Sequence, residues 1–372
     1  MKLALCLFRY FPYGGLQRNF LTIGQELVRR GHEVVIYTGA WEGDRPKELS
    51  IKILPVSGYS NHAKNRHFHQ HLQRALAASP VDLVVGFNKM PGLDVYYCAD
   101  TCFATKAYED KNIWYRMTSR CRWSLRYERS VFGVDTSTEV LLLSEQEGKA
   151  FKKYYGTDDR RLHLMPPGIS RNRVRDELSD TKRALTRNEL DVDEQGKVIA
   201  FVGSDYKRKG LDRLLTAFSS LPPGEQRLNR IIVIGRDKHQ PAYEKLAAKL
   251  SILDRVTFLG QRDDVPDLLF ASDYLAHPAY LENTGNVLLE GVVAGLPVIC
   301  TAICGYSFYI EQNQLGEVVA EPFKQTSMNS QLQQLLNSQQ DWRRHCAEFA
   351  ASADIYSRPE RAAETIEAIG AG

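Results

Sequence analysis

The stretch "YLENTGNVLLEGVVAGLPV", residues 280–298, places Glu282 and Glu290 with seven residues between them in a run that is otherwise mostly small or apolar. Val287, Leu288 and Leu289, followed by Val292 and Val293, leave a helix here with little polar face, so Glu290 must sit where the helix is buried. A buried acid needs partners, and the hydroxyls of a ligand would serve. Gly295 and Pro297 stop the helix and lead into the next apolar run. If the helix begins near Asn283 or Thr284, the unpaired amides of Gly285, Asn286 and Val287 face whatever lies above the sheet. Glu282 then stands just outside the helix and Glu290 about two turns in. Such an arrangement is a cup for a hydroxyl-rich, anionic ligand.

Outward from this stretch, apolar runs of strand length alternate with amphipathic helices almost throughout: "LALCLF", "EVVIYT", "DLVVGF" and "VLLLS" in the first half, then "VIAFVG", "RIIVIG", "VTFLG", "YLAHP" and "PVICTA". The alternation predicts an α/β protein whose parallel sheets are covered by helices on both faces. A chain of 372 residues suits two such domains. The boundary is expected in "LHLMPPGIS", residues 162–170, where two prolines and a glycine stop a strand, giving an N-terminal domain over 1–165 and a C-terminal one over 166–355. The tail is interrupted at Pro359 and resumes its helical pattern, so residues 356–372 are expected to cross back onto the first domain.

Net charge is only +3, which argues against a general nucleic-acid binder, and no nucleic-acid partner is expected. The start of the chain has too short an apolar run for a signal peptide, and the uncharged stretch from Gly291 to Ile310 is broken by Gly295, Pro297 and Gly305, so it reads as helix end, turn and buried strand. Seven scattered cysteines suit a reduced, cytoplasmic protein. Their CxxxC pairs lack matching histidines, and His67, His69 and His71 have no metal-site spacing, so no metal site is expected.

The paired glutamates resemble the E-x7-E signature of retaining glycosyltransferases of the GT-B fold, in the large family four. "VGSDYKRKGLDRLL", residues 202–215, adds a strand ending in Gly203 and then Arg208 and Lys209 before a helix. Relatives hold a sugar-nucleotide diphosphate with such a pair, two charge-assisted contacts to a leaving group that gains negative charge. Gly14 and Gly15, in "FPYGGLQRNF" at 11–20, resemble the family's glycine-rich loop, whose bare backbone can approach the distal phosphate and the reacting sugar. "GFNKMPGLDVYYCADTC", "LMPPGI", "ICGYSFYI" and "AEPF" extend the resemblance along essentially the whole chain to the lipopolysaccharide core glucosyltransferases.

The resemblance implies two Rossmann-like domains with sheets facing a central cleft, and an enzyme that moves glucose from UDP-glucose to the heptose inner core, in an α-1,3 linkage with retention. It implies Glu290 on the ribose, Arg208 and Lys209 on the diphosphate, Glu282 and the amides of Gly285 to Val287 on the donor sugar, and Asp100 on the sugar's opposite side. Asp100 stands where many family-four enzymes have histidine. Arg173 and Arg262 lie at carboxyl ends of strands, where a nucleotide base sits. No DxD-like pair is present, so no metal cofactor is expected and side chains must stabilise the leaving charge.

The expected acceptor is a lipid-linked glycan at the cytoplasmic face of the inner membrane. Asn19, which replaces an expected Asp, and a polar loop with Asn61 and Lys64 are candidates to meet it. From Phe103 to Phe132, Lys106, Lys111, Arg116, Arg120, Arg122 and Arg126 interleave with Trp114, Tyr115 and Trp123, a composition suited to an anionic membrane surface. Two rivals remain at this stage. A nucleotide-sugar epimerase shares the architecture, and a nonenzymatic nucleotide- or lipid-binding module would need none of the donor-site set.

Overall fold

The computed structural model describes residues 1–372 except Tyr13, Asp193 and Glu194. The chain divides into two compact units, one formed by Met1–Gly168 with Ser357–Gly372 and the other by Ile169–Tyr356.

The first unit holds seven strands, β1 (Lys2–Leu7), β2 (Glu33–Thr38), β3 (Ser50–Ile53), β4 (Leu83–Gly86), β5 (Val95–Cys98), β6 (Glu139–Leu142) and β7 (Leu162–Leu164). Their order in the sheet is β3-β2-β1-β4-β5-β6-β7, and every pairing is parallel. Strands β1, β2, β4 and β5 are almost wholly buried, as continuous apolar runs require when helices cover both faces. Helix Arg358–Ala371 packs its Ala362, Ala363 and Ile366 into the core on one face of this sheet. Glu367 on the same helix accepts from Arg30 at 2.9 and 2.6 Å and approaches His32 Nε2 at 2.7 Å, fixing the tail against helix Gly15–Arg29.

The second unit has six parallel strands, β8 (Lys197–Val202), β9 (Asn229–Ile234), β10 (Val256–Gly260), β11 (Tyr274–His277), β12 (Val298–Thr301) and β13 (Gly316–Val319), ordered β10-β9-β8-β11-β12-β13. Each sheet reverses direction of growth once, between β1 and β4 in the first and between β8 and β11 in the second. In doubly wound sheets the crevice at such a reversal, outside the carboxyl ends of the strands, is where ligands bind. The loops after β8 and β11 carry the residues that the sequence singled out.

Two local readings are corrected. Asn61 and Lys64 are not in a loop but in the first turn of helix Asn61–Ala78, because Ser60 caps it by accepting from the Ala63 amide at 3.3 Å while Phe68 and Leu72 face the core. The helix expected from Asn283 or Thr284 starts at Asn286, so Glu290 is little more than one turn in. Gly285 takes φ +77° at its N-cap, and the Thr284 carbonyl accepts from the Tyr306 amide at 2.8 Å, which removes it from the helical ladder.

Candidate functional site

The turn after β8 brings Arg208 and Lys209 to the reversal point. Asp205 caps the short helix Tyr206–Lys209 by accepting from the Arg208 amide, and Gly210 ends it at φ +80°. A side chain at Gly210 would place its first carbon 1.9 Å from the Pro278 carbonyl oxygen, so the β8 and β11 loops touch backbone to backbone and only glycine fits. Gly203 plays a related part, since a side chain there would meet Cγ of Lys209 at 3.0 Å. Its absence lets the lysine stem lie across the end of the strand.

Lys209 donates to Oε2 of Glu282, Arg208 Nη1 lies 3.6 Å from the same oxygen, and Nε2 of the fully buried His277 is 3.2 Å away. All three address Oε2, and among the described residues none hydrogen-bonds Oε1. Burial would raise the Glu282 pKa, but the His277 hydrogen bond and the Lys209 charge overcome it and hold the carboxyl well below the usual carboxylate range. Burial lowers the His277 pKa, favouring the neutral imidazole, and an ionised carboxylate can only accept, so Nε2–H donates the hydrogen bond to Glu282. Sequence reasoning missed His277, although it ends the strand run "YLAHP". A carboxylate kept ionised, with one oxygen fully engaged, is suited to accepting hydrogen bonds from hydroxyls on the other.

Glu290 is also buried, and Arg173 Nη1 donates to it at 3.1 Å. A partner that the sequence left to ribose is therefore supplied, at least in part, by Arg173. Arg262 forms a local fork with Asp264 at 2.8 and 2.5 Å, away from either glutamate's hydrogen bonds. At the start of helix Asn286–Val293, Leu288 N bonds the Gly285 carbonyl at 2.9 Å, while the amides of Asn286 and Val287 make no hydrogen bond among the described residues. The Gly285 amide likewise donates no hydrogen bond among the described residues, so the three amides from Gly285 to Val287 are open to a ligand.

In the first unit, Gly14 is the N-cap of helix Gly15–Arg29, with no side chain capping its amides. A side chain at Gly14 would strike Gln17, whereas none lies within 4 Å of that position at Gly15. Asn19 is half-buried in the second turn of this helix.

Asp100 is exposed two residues beyond β5. The segment after it is pinned by buried charges. Lys89 donates to the Thr101 carbonyl at 3.0 Å, Glu147 accepts from the Cys102 amide at 2.6 Å, and the fully buried Glu128 accepts from the amides of Phe103 and Ala104 at 2.8 and 2.9 Å. Glu128 is neutralised by Lys89 and further bonded by the Tyr155 hydroxyl at 2.7 Å. It belongs to helix Ser119–Phe132, the last part of the basic, aromatic segment. On the outer side of that segment Lys106, Lys111, Arg120, Arg122 and Arg126 are exposed, and Arg116 is half-buried with its guanidinium 5.5 Å from the Tyr108 ring centre. Ile113, Trp114 and Met117 are exposed by 60, 72 and 61%. Among the described residues no group of three or more His, Cys, Asp or Glu side chains could hold a metal ion, and no helix is long and apolar enough to cross a membrane.

Over 369 residues, 98% of both chains, the sequence is 42% identical to the lipopolysaccharide glucosyltransferase WaaG of Escherichia coli K12. The chain belongs to the WaaG family of lipopolysaccharide glucosyltransferases. Residues 13–173 match the model of Glycosyltransferase Family 4 and residues 182–353 that of Glycosyl transferases group 1. A crystal structure of WaaG superposes with a TM-score of 0.92, covering 98% of this chain and 99% of that one. Anabaena HepE in complex with UDP-glucose superposes at 0.75 over 99% of this chain and 100% of its own, at 17% identity, which speaks for the fold alone. The GT-B fold and a glycosyltransferase activity in lipopolysaccharide biosynthesis follow from WaaG membership, and the site at the β8/β11 reversal is to be read in that light.

Proposed function

We propose that the protein transfers glucose from UDP-glucose to the heptose inner core of lipopolysaccharide, with retention, in an α-1,3 linkage and without a metal ion. The observation that carries the reading is the convergence of Lys209, Arg208 and His277 on one oxygen of Glu282 at the reversal point of the second sheet. Arg208 and Lys209 stabilise the negative charge that grows on UDP as the glycosidic bond breaks. Oε1 of Glu282 and the amides of Gly285, Asn286 and Val287 orient the sugar hydroxyls. Glu290, steadied by Arg173, takes the ribose. The acceptor hydroxyl then attacks from the face that UDP leaves, and Asp100 acts on the sugar from the acceptor side.

The name of the WaaG relative supports a lipopolysaccharide acceptor and glucosyl transfer, and HepE was crystallised with UDP-glucose. We place the protein on the cytoplasmic face of the inner membrane, held by the basic and aromatic segment from Phe103 to Phe132, where exposed Ile113, Trp114 and Met117 stand among exposed arginines. The test is incubation with UDP-glucose and core lipopolysaccharide that lacks the glucose, followed by NMR of the product. An α-linked glucose on heptose is expected. Interconversion of the free sugar nucleotide without transfer would instead make the protein an epimerase.

A further inference from the structure

Glu282 and the Arg208–Lys209 turn come from loops 73 residues apart in sequence. The approach of Gly210 to the Pro278 carbonyl explains why they can come close, but not what keeps them in register. One side chain spans both loops. Arg213, in the first turn of helix Leu211–Ser219, donates through Nη1 to the carbonyls of Pro278 and Ala279 at 3.2 and 2.8 Å. Its guanidinium carbon lies 3.5 Å from the ring centre of Tyr280 and 3.6 Å from that of Phe323, so the cation rests on two aromatic rings. Phe323 belongs to the "AEPF" stretch, which the donor site itself does not use.

The next residues close the contact. The Tyr280 amide donates to the Arg208 carbonyl at 2.8 Å, the bond that sets the register of the two loops. The Tyr280 hydroxyl donates to Asp212 at 2.8 Å, and Lys207 Nζ reaches both groups, at 2.8 Å to Asp212 and 3.2 Å to the hydroxyl.

We propose that Arg213, held on the rings of Tyr280 and Phe323, is a positioning residue for glycosyl transfer: it fixes the loop that carries Glu282 in register with the turn that carries Arg208 and Lys209. The role requires arginine. A planar guanidinium stacks face-on between two rings while one of its nitrogens bonds both carbonyls, a geometry that the compact ammonium of lysine does not reproduce. Arg213 hydrogen-bonds neither glutamate, and its effect passes through the backbone of the Pro278–Tyr280 loop.

The inference rests on the proposed role of Glu282 and its cations, and the experiment separates the two. Arg213→Lys, Phe323→Leu and Tyr280→Phe are compared with the full-length wild-type protein in kcat and KM for UDP-glucose, in melting temperature, and in amide exchange at Tyr280. Displacement of catalytic groups by about an ångström costs on the order of 100-fold in rate. Arg213→Lys is therefore expected to lower kcat by about 10- to 100-fold with KM changed far less, and to speed exchange of the Tyr280 amide. Phe323→Leu should move both in the same direction by less. Tyr280→Phe keeps the ring and should stay near wild type in both. An Arg213→Lys protein with wild-type kcat and unaltered Tyr280 exchange overturns the proposal, as does a fall in kcat matched by Tyr280→Phe. If the wild type does not use UDP-glucose, the donor assignment fails on its own, and Tyr280 exchange alone decides the role of Arg213.

Discussion

Replacing Lys209 by Met separates catalysis from folding. The methionine keeps an unbranched stem lying over Gly203 and removes only the charge. In the folded protein Glu282 would lose its closest cation but keep His277 at 3.2 Å and Arg208 at 3.6 Å on the same oxygen. Removing one partner of a buried pair outright costs about 3–5 kcal/mol, and with the His277 hydrogen bond and the Arg208 charge retained the cost here should be nearer 1–2 kcal/mol. The leaving diphosphate has no such reserve, since Arg208 is the other cation assigned to it. Loss of one charged donor to a developing anion costs about 2.7–4 kcal/mol, or on the order of 100- to 1,000-fold in kcat. The assay is turnover by UDP release, paired with urea unfolding on the same preparation. Lys209→Met with turnover within about threefold of wild type, or with a loss of stability as large as its loss in transition-state free energy, would refute the argument.

If Arg208 and Lys209 meet the leaving charge as proposed, transfer should persist in excess EDTA, and NMR should find an α-linked product from the α-linked donor; a β-linked product would contradict retention. The protein should float with phosphatidylglycerol vesicles, release at high salt and ignore neutral vesicles, and Gln at Arg120, Arg122 and Arg126 should abolish flotation while leaving UDP binding intact. Each of those charges is worth about 1 kcal/mol near an anionic surface, and equal binding to neutral vesicles would sink the membrane assignment. Docking of helix Arg358–Ala371 should weaken in acid. Hydrogen bonds from Arg30 and His32 lower the Glu367 pKa to about 2, so its contribution is complete above the unfolded value of about 4.3 and disappears as pH falls through about 2. Limited proteolysis of the C-terminal tail should show that window in the wild type and lose it in Glu367→Gln.

The alternation of apolar runs and helices made two parallel sheets legible, because strands covered on both faces must read as unbroken hydrophobic segments. The E-x7-E stretch and the Arg208–Lys209 turn were legible for a related reason: each follows a strand at the point where the sheet order reverses. What stayed hidden depends on contacts that chain proximity does not announce. The Ser60 cap turns a polar, histidine-rich run into a helix whose core contact is as sparse as Phe68 and Leu72. The helix at Asn286 starts late because the Thr284 carbonyl is taken by Tyr306, 22 residues on. Arg173 finds Glu290 across 117 residues, and no local pattern distinguishes it from a surface arginine.

The two glutamates of the motif therefore differ in a way that their symmetric spacing conceals. Glu282 is surrounded on one oxygen by two cations and a neutral imidazole, so its charge is stabilised before any substrate arrives, and its second oxygen needs no reorganisation to accept a hydroxyl. Glu290 is matched to Arg173, a planar donor whose fork can be shared between a carboxylate and a neighbouring acceptor. Preorganisation counts most where charge develops during the reaction, and Glu282 is the carboxylate beside Arg208 and Lys209. Under the proposed function, Glu282 serves the bond-breaking end of the donor and Glu290 the nucleotide end. Removal of Glu282 should thus appear in kcat, and removal of Glu290 first in KM for the donor.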